Sequence, residues 1–115
     1  MPAYSFQEQF APAVEQGKKR QTIRPPRKRP TRPGDTLYLY TGMRTRRCRL
    51  LRVATCRAVT PITIHPDHVI LDGRRLSPEE TLALARADGF ENVEAFFDFF
   101  RRRYGLPVRL ELVEW

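Results

Sequence analysis

Cysteine is scarce. Cys48 and Cys56 are the only two in 115 residues, which excludes the disulfide framework of a small secreted domain and suits reduced thiols. Histidine is equally rare, with only His65 and His68. These four residues do not make a zinc pattern, because the seven residues between Cys48 and Cys56 are not the tight knuckle of about two to four residues that such sites use. His65-Pro66-Asp67-His68 reads more simply as a turn, and no metal or cofactor is expected. No stretch approaches the roughly 18–20 apolar residues of a membrane span, and the opening Met-Pro-Ala-Tyr-Ser-Phe-Gln-Glu has neither the basic flank nor the apolar run of a targeting signal. A cytoplasmic protein without a membrane partner is expected. At 115 residues and 41% hydrophobic, the chain suits a single domain, residues 1–115, around one core.

Acid is missing where base gathers. Residues 18–57 hold fourteen lysines and arginines against one acid, Asp35, whereas residues 1–17 and 58–115 are each net negative and the whole chain is +8. Solubility does not require cations to be segregated; a local positive field does. The expected partner is a polyanion, and phosphate is its simplest recognisable group.

The order of elements follows from periodicity and turn chemistry. Phe6, Phe10 and Val14 recur every four residues up to Gly17, which predicts a helix over residues 5–16. Pro25 to Pro33 cannot sustain a helix or a central strand, because each proline lacks an amide donor, so this basic stretch is an exposed loop. After the turn Pro33-Gly34-Asp35, residues 36–41 alternate as a strand, with a loop at Gly42–Arg47. Strand formers continue through Cys48–Val59, Ile62–Ile64 and Val69–Leu71, and close spacing favours an antiparallel sheet or small barrel. Ser77-Pro78-Glu79-Glu80 is a helix start with a capping box, running to about Ala87 before Asp88-Gly89. Asn92 caps a second helix whose Val93, Phe96, Phe97, Phe100 and Tyr104 form a core-packing face. Val108, Leu110 and Leu112 then alternate as a closing strand.

Gly17-Lys18-Lys19-Arg20-Gln21-Thr22-Ile23-Arg24 matches the Gly-x-Lys-x-x-Thr-x-Arg signature of ASCH domains, a branch of the PUA-like superfamily. The preceding helix, the Pro-Gly-Asp turn into Leu-Tyr-Leu-Tyr and the late helix with its final strand extend the resemblance over nearly the whole chain. It implies an α+β fold: a small PUA-like β-barrel of about five or six strands, flanked by an N-terminal helix and two helices in the C-terminal half. It also implies RNA binding in a cleft beside the signature, or hydrolysis of modified nucleosides or RNA.

The signature has its own physical sense. In a strand, Thr22 and Arg24 project to one face and Gln21 and Ile23 to the other. Lys19 reaches the same cleft from its rim, so a point charge, a hydroxyl and a planar fork converge on a phosphate or a carbonyl. Around them, Lys18 and Arg20, then Arg27, Lys28, Arg29 and Arg32 in the proline loop, extend a basic surface along a nucleic-acid backbone. Arg44, Arg46 and Arg47 widen it, while Arg101 to Arg103 complement the end of the last helix. Tyr38 and Tyr40 are either packing residues or stacking partners for bases.

Catalysis is the alternative. The small ASCH-like amidohydrolases that release acetate from N4-acetylcytidine use a lysine, a threonine and a carboxylate, and by resemblance Lys19 and Thr22 fall on the first two. Asp88, by its place relative to the last helix, is the best candidate for the third, one methylene shorter than the family's glutamate; Glu79 and Glu80 compete. Threonine needs a neighbour to take its proton, and flanking Lys18 and Arg20 disfavour the charged form of Lys19. A ribonuclease using the same basic cleft is a further alternative.

Overall fold

A computed structural model describes residues 2–115. In chain order the elements are β1 (Ala3–Phe6), α1 (Ala11–Glu15), β2 (Gln21–Arg24), β3 (Thr36–Thr41), β4 (Arg49–Thr55), β5 (Ala58–Ile64), β6 (Val69–Leu71), β7 (Arg74–Arg75), α2 (Pro78–Ala87), α3 (Val93–Tyr104) and β8 (Val108–Glu114). The class is α+β, but the expected PUA-like β-barrel of five or six strands is not what the strands form. They make two sheets, one of three strands in the order β1-β3-β4 and one of five in the order β2-β8-β5-β6-β7, with no ladder closing them into a barrel among the described residues. β1 runs parallel to β3, and every other pairing is antiparallel.

The reason lies at the edges of β1 and β2. Where a closed barrel would continue its ladder, arginine side chains reach across instead: Arg24 Nη2 donates to Ser5 O at 2.6 Å and Arg27 Nη1 to Ala3 O at 2.9 Å. Those carbonyls are satisfied without a neighbouring strand. The space held between the two edges is the cavity described below.

The N-terminal helix is also shorter than its spacing suggests. Phe6 belongs to β1, Phe10 is the N-cap residue, and only Val14 lies in the five-residue α1. All three are buried in one cluster with Leu37, Leu39, Val113 and Trp115, so the four-residue period records three inward side chains delivered by a strand, a turn and a helix. Pro12 lies in the first turn, where a missing amide costs nothing.

The other helices start where local chemistry directs. Ser77 Oγ accepts from Glu80 N at 3.1 Å while Glu80 Oε1 accepts from Ser77 N at 2.9 Å, a complete capping box. Asn92 Oδ1 accepts from Ala95 N at 2.8 Å to open α3. α2 and α3 cover the five-stranded sheet, burying Leu84, Phe96 and Phe100 against Ile23, Leu110 and Leu112. β8 thus serves two cores, with Leu110 and Leu112 on one face and Val113 and Trp115 at the opposite parity, and Phe90 and Phe99 touch both clusters. No helix among the described residues is long and apolar enough to cross a membrane.

Candidate functional site

Three consecutive basic residues follow α1, and only the middle one turns inward. The amides of Lys18 and Lys19 both donate to Ala13 O, at 2.8 and 2.9 Å, closing the helix end. Lys18 and Arg20 stay exposed, Arg20 Nε reaching Trp115 O at 3.2 Å, whereas Lys19 is 3% exposed. Its amine donates to Asp88 O at 2.5 Å and lies 3.1 Å from Asp88 Oδ1. The third position on that nitrogen, lone pair or N–H, has no hydrogen-bonding partner among the described residues.

Asp88 caps the C-terminus of α2 and is 4% exposed. A carboxylate there faces the negative end of the helix dipole and has lost its water, an unfavourable position unless a cation meets it. Lys19 meets both the carboxylate and the last carbonyl. Gln21 Nε2 adds a bond to Asp88 Oδ1 at 3.2 Å. Among the described residues Oδ2 makes no hydrogen bond. Gly89 permits this placement: its φ is +102°, and a Cβ there would stand 2.8 Å from the Phe10 ring.

Thr22 and Arg24 do share a face of β2. Arg24 Nε donates to Thr22 Oγ1 at 2.8 Å, so the threonine oxygen accepts from a cation and its own proton is left free. The Arg24 guanidinium also lies 5.1 Å from the centre of the Phe6 ring and 5.6 Å from that of Tyr4. Two pairs therefore form, Lys19 with Asp88 and Thr22 with Arg24, and no hydrogen bond links one pair to the other among the described residues. All four side chains line one cavity of about 60 Å3, together with Phe6, Phe90 and Tyr104. It shares Ser5, Phe6, Arg24 and Arg103 with a groove of about 530 Å3 whose walls also include Arg47.

Burial governs the electrostatics. It lowers the pKa of Lys19, with Asp88 opposing and Arg24 assisting, and it raises the pKa of Asp88 against the pull of Lys19 and Gln21. The expected cause for Lys19, the flanking charges of Lys18 and Arg20, is replaced by desolvation and Arg24. Glu80 is excluded from the site: its bonds to Arg74 and Ser77 hold its pKa down at about 2, and it lies in the capping box. Glu79 is exposed and outside the cavity.

The remaining basic residues stand apart from this cavity. Arg27, Lys28, Arg29 and Arg32 are exposed on the proline loop, and Arg44, Arg46 and Arg47 on the β3–β4 loop. Of these, only Arg47 approaches the groove. Sequence reasoning missed Gln21 and Arg103. Strand alternation sets Gln21 on the face opposite Thr22, and nothing local shows that the end of α2 meets it there. Arg103 does lie in the last turn of α3, as expected, but packing also sets it at the mouth of the cavity, a long-range fact. Cys48 is exposed and Cys56 buried, His65 stacks on His68 at 4.3 Å, and no group of three His, Cys, Asp or Glu among the described residues is placed to hold a metal ion. In comparisons with known proteins the chain matches no family model, no curated protein and no solved structure.

Proposed function

We propose that the cavity is the active site of an amidohydrolase acting on an acylated nucleoside, with Thr22 as nucleophile, Lys19 as its base and Asp88 as the acid that serves the leaving amine. The observation that carries this reading is the buried Lys19–Asp88 pair beside a threonine in an open cavity. Burying two opposite charges costs several kcal/mol per ion, and a binding surface for phosphate has no need of it. An amine with a lowered pKa and a carboxyl with a raised one, facing one small cavity, are the tools of proton transfer.

The steps follow from the atoms present. Transfer of the ammonium proton within the pair leaves Lys19 neutral and Asp88 protonated, and Lys19 then takes the Thr22 hydroxyl proton as Oγ1 attacks the amide carbon. The oxyanion that forms lies beside the Arg24 guanidinium, whose contact with Oγ1 already places positive charge there. Collapse breaks the C–N bond, Asp88 gives its proton to the departing amine, and water then cleaves the threonine ester, releasing the acid and returning the proton to Thr22 Oγ1. A space of about 60 Å3 is roughly that of two waters, so it suits an acetyl-sized group, with the base outside in the groove. The Gly-x-Lys-x-x-Thr-x-Arg spacing, through which the chain resembles ASCH domains, supports the same assignment.

The test is chromatography of N4-acetylcytidine incubated with the protein and with Lys19→Ala and Thr22→Val. Cytidine and acetate from the wild type alone are expected. Equal product from wild type and Thr22→Val, or none from any acylated nucleoside at high enzyme concentration, would refute the nucleophile assignment. A second reading, nucleic-acid binding, is favoured by a separate observation. None of Arg27, Lys28, Arg29, Arg32, Arg44, Arg46 and Arg47 forms an ion pair among the described residues. A pure binding module keeps its affinity in Thr22→Val to within about 1 kcal/mol, the worth of one hydrogen bond.

A further inference from the structure

The outer face of the three-stranded sheet is not absorbed by the cavity. Along β3 the buried residues Leu37, Leu39 and Thr41 alternate with Thr36, Tyr38 and Tyr40, which point the other way. Register sets Tyr38 opposite Val53 and Tyr40 opposite Leu50 on that outer face, and Val53 and Leu50 are 50% and 46% exposed, the large hydrophobic residues left open to solvent. The helix that touches this sheet, α1, adds Ala11 and Val14 to the cluster on the inner side. Two aromatic rings and two aliphatic side chains therefore form one outward patch. The tyrosines stand two residues apart, about 6.6 Å along the strand, a step that one extended nucleotide can match.

Both ends of the patch meet a fixed cationic loop. Beyond Thr36 lies a concavity of about 530 Å3 whose walls include Arg27, Arg29, Arg32 and Pro2, the residue before β1. This loop is held: Thr31, 3% exposed, shares a 2.7 Å hydrogen bond with the buried Tyr4 hydroxyl. At the other end, Met43 N donates to Ser5 Oγ at 3.3 Å, and Ser5 is in register with Tyr40, so the Arg44–Arg47 loop leaves from the Tyr40 end of the patch. Gly42 is required here: its φ is +65°, and a Cβ would lie 2.9 Å from Arg47 O.

We infer that this face is a stacking platform for single-stranded nucleic acid, with bases on Tyr38 and Tyr40 and phosphates on the two arginine loops. Aromatic faces accept unpaired bases of any sequence, and paired bases hide theirs. The unpaired cations at both ends give the charge complementarity that a second protein copy, bearing the same cations, lacks. The inference rests on the nucleic-acid-binding reading and is independent of the hydrolase.

Fluorescence anisotropy with a labelled oligouridylate of about ten nucleotides tests it. Tyr38→Phe/Tyr40→Phe is expected to bind within about twofold of wild type, and Tyr38→Leu/Tyr40→Leu, which keeps the apolar bulk, to bind at least about fivefold more weakly per ring lost. Arg27→Ala/Arg29→Ala/Arg32→Ala is expected to flatten the slope of log K against log salt by about 2. If the leucine pair binds like wild type while the loop variant fails, the platform is overturned and the nucleic-acid reading stands. If wild type does not bind even at low salt, both fall. A dimer that Val53→Glu dissolves, together with no oligonucleotide binding, assigns the face to a second copy and overturns the proposal. Thermal melts of each variant confirm that the fold persists.

Discussion

Replacing Lys19 and Asp88 one at a time and together separates a costly functional pair from a stabilising one. Lys19→Met removes the charge 3.1 Å from Asp88 Oδ1 and the donor 2.5 Å from Asp88 O, leaving the carboxylate with Gln21 alone. Breaking a buried pair from one side costs about 3–5 kcal/mol, a large part of the roughly 5–15 kcal/mol by which domains are stable. Asp88→Asn keeps an acceptor for Gln21 and leaves the ammonium buried without a counter-charge, at a similar cost. In the double variant both desolvation penalties vanish, and its stability is expected within about 2 kcal/mol of wild type or above it. The coupling energy is then at least about 4 kcal/mol. Trp115, the only tryptophan, is buried edge-on to Phe6 with ring centres 6.0 Å apart, so its fluorescence in a urea titration reports unfolding, with circular dichroism as the check on two-state behaviour.

The pH dependence of the single variants has opposite signs. In Lys19→Met the remaining carboxyl has a pKa raised by burial, so its contribution is fully favourable below the unfolded value of about 3.9 and is lost as pH rises through the folded one. The defect of this variant is smallest in acid and grows toward neutral pH. In Asp88→Asn the remaining amine has a lowered pKa, so stability is whole above about 10.4 and is lost as pH falls through the folded value. Its defect shrinks in base. Single costs under about 1 kcal/mol that simply add, with no pH dependence, would mean a solvated pair and would remove the physical basis for proton transfer at this site.

Arg24→Lys replaces a fork that holds Thr22 Oγ1 and Ser5 O together with a single point charge; turnover of an acylated nucleoside is expected to fall at least about tenfold, read from initial rates. Thr31→Val leaves the buried Tyr4 hydroxyl without its 2.7 Å partner, costing about 1–3 kcal/mol in urea unfolding. Ser77→Ala removes one arm of the capping box and costs about 1 kcal/mol in a thermal melt. In the same variant the carboxyl of Glu80, held at about 2 chiefly by Arg74, stays well below the ordinary range in an NMR titration. Because its folded pKa is depressed, its favourable contribution is present above the unfolded value of about 4.3 and fades as pH falls toward 2.

What the sequence discloses divides by distance along the chain. The capping box at Ser77, the cap at Asn92 and the alternation of β3 and β8 are written within a few residues of where they act, and each forms as read. Lys19, Thr22 and Arg24 converge because one turn and one strand carry all three. Closure is different: whether β1 and β2 pair is decided by Arg24 and Arg27 reaching carbonyls of β1, and no local pattern records that. β1 itself pairs in parallel with a strand more than thirty residues later, and the regular spacing of Phe6, Phe10 and Val14 conceals it.

Lys19 shows the same division between near and distant neighbours. Lys18 and Arg20 adjoin Lys19 in sequence yet point away from it, so the charges that act on its amine are Asp88 and Arg24, the first of them 69 positions along the chain. An amine flanked only by exposed cations would lose little of its affinity for a proton, because water and salt screen them. Buried at the end of α2, the same amine is set against a carboxyl that burial raises and lowered by the burial they share. A lysine positioned in this way is tuned by the packing of α2 on the sheet. A change at Gly89 or Phe10, neither of which carries a proton, is therefore expected to disturb the Lys19–Asp88 contact by moving Asp88, without touching the Gly-x-Lys-x-x-Thr-x-Arg signature.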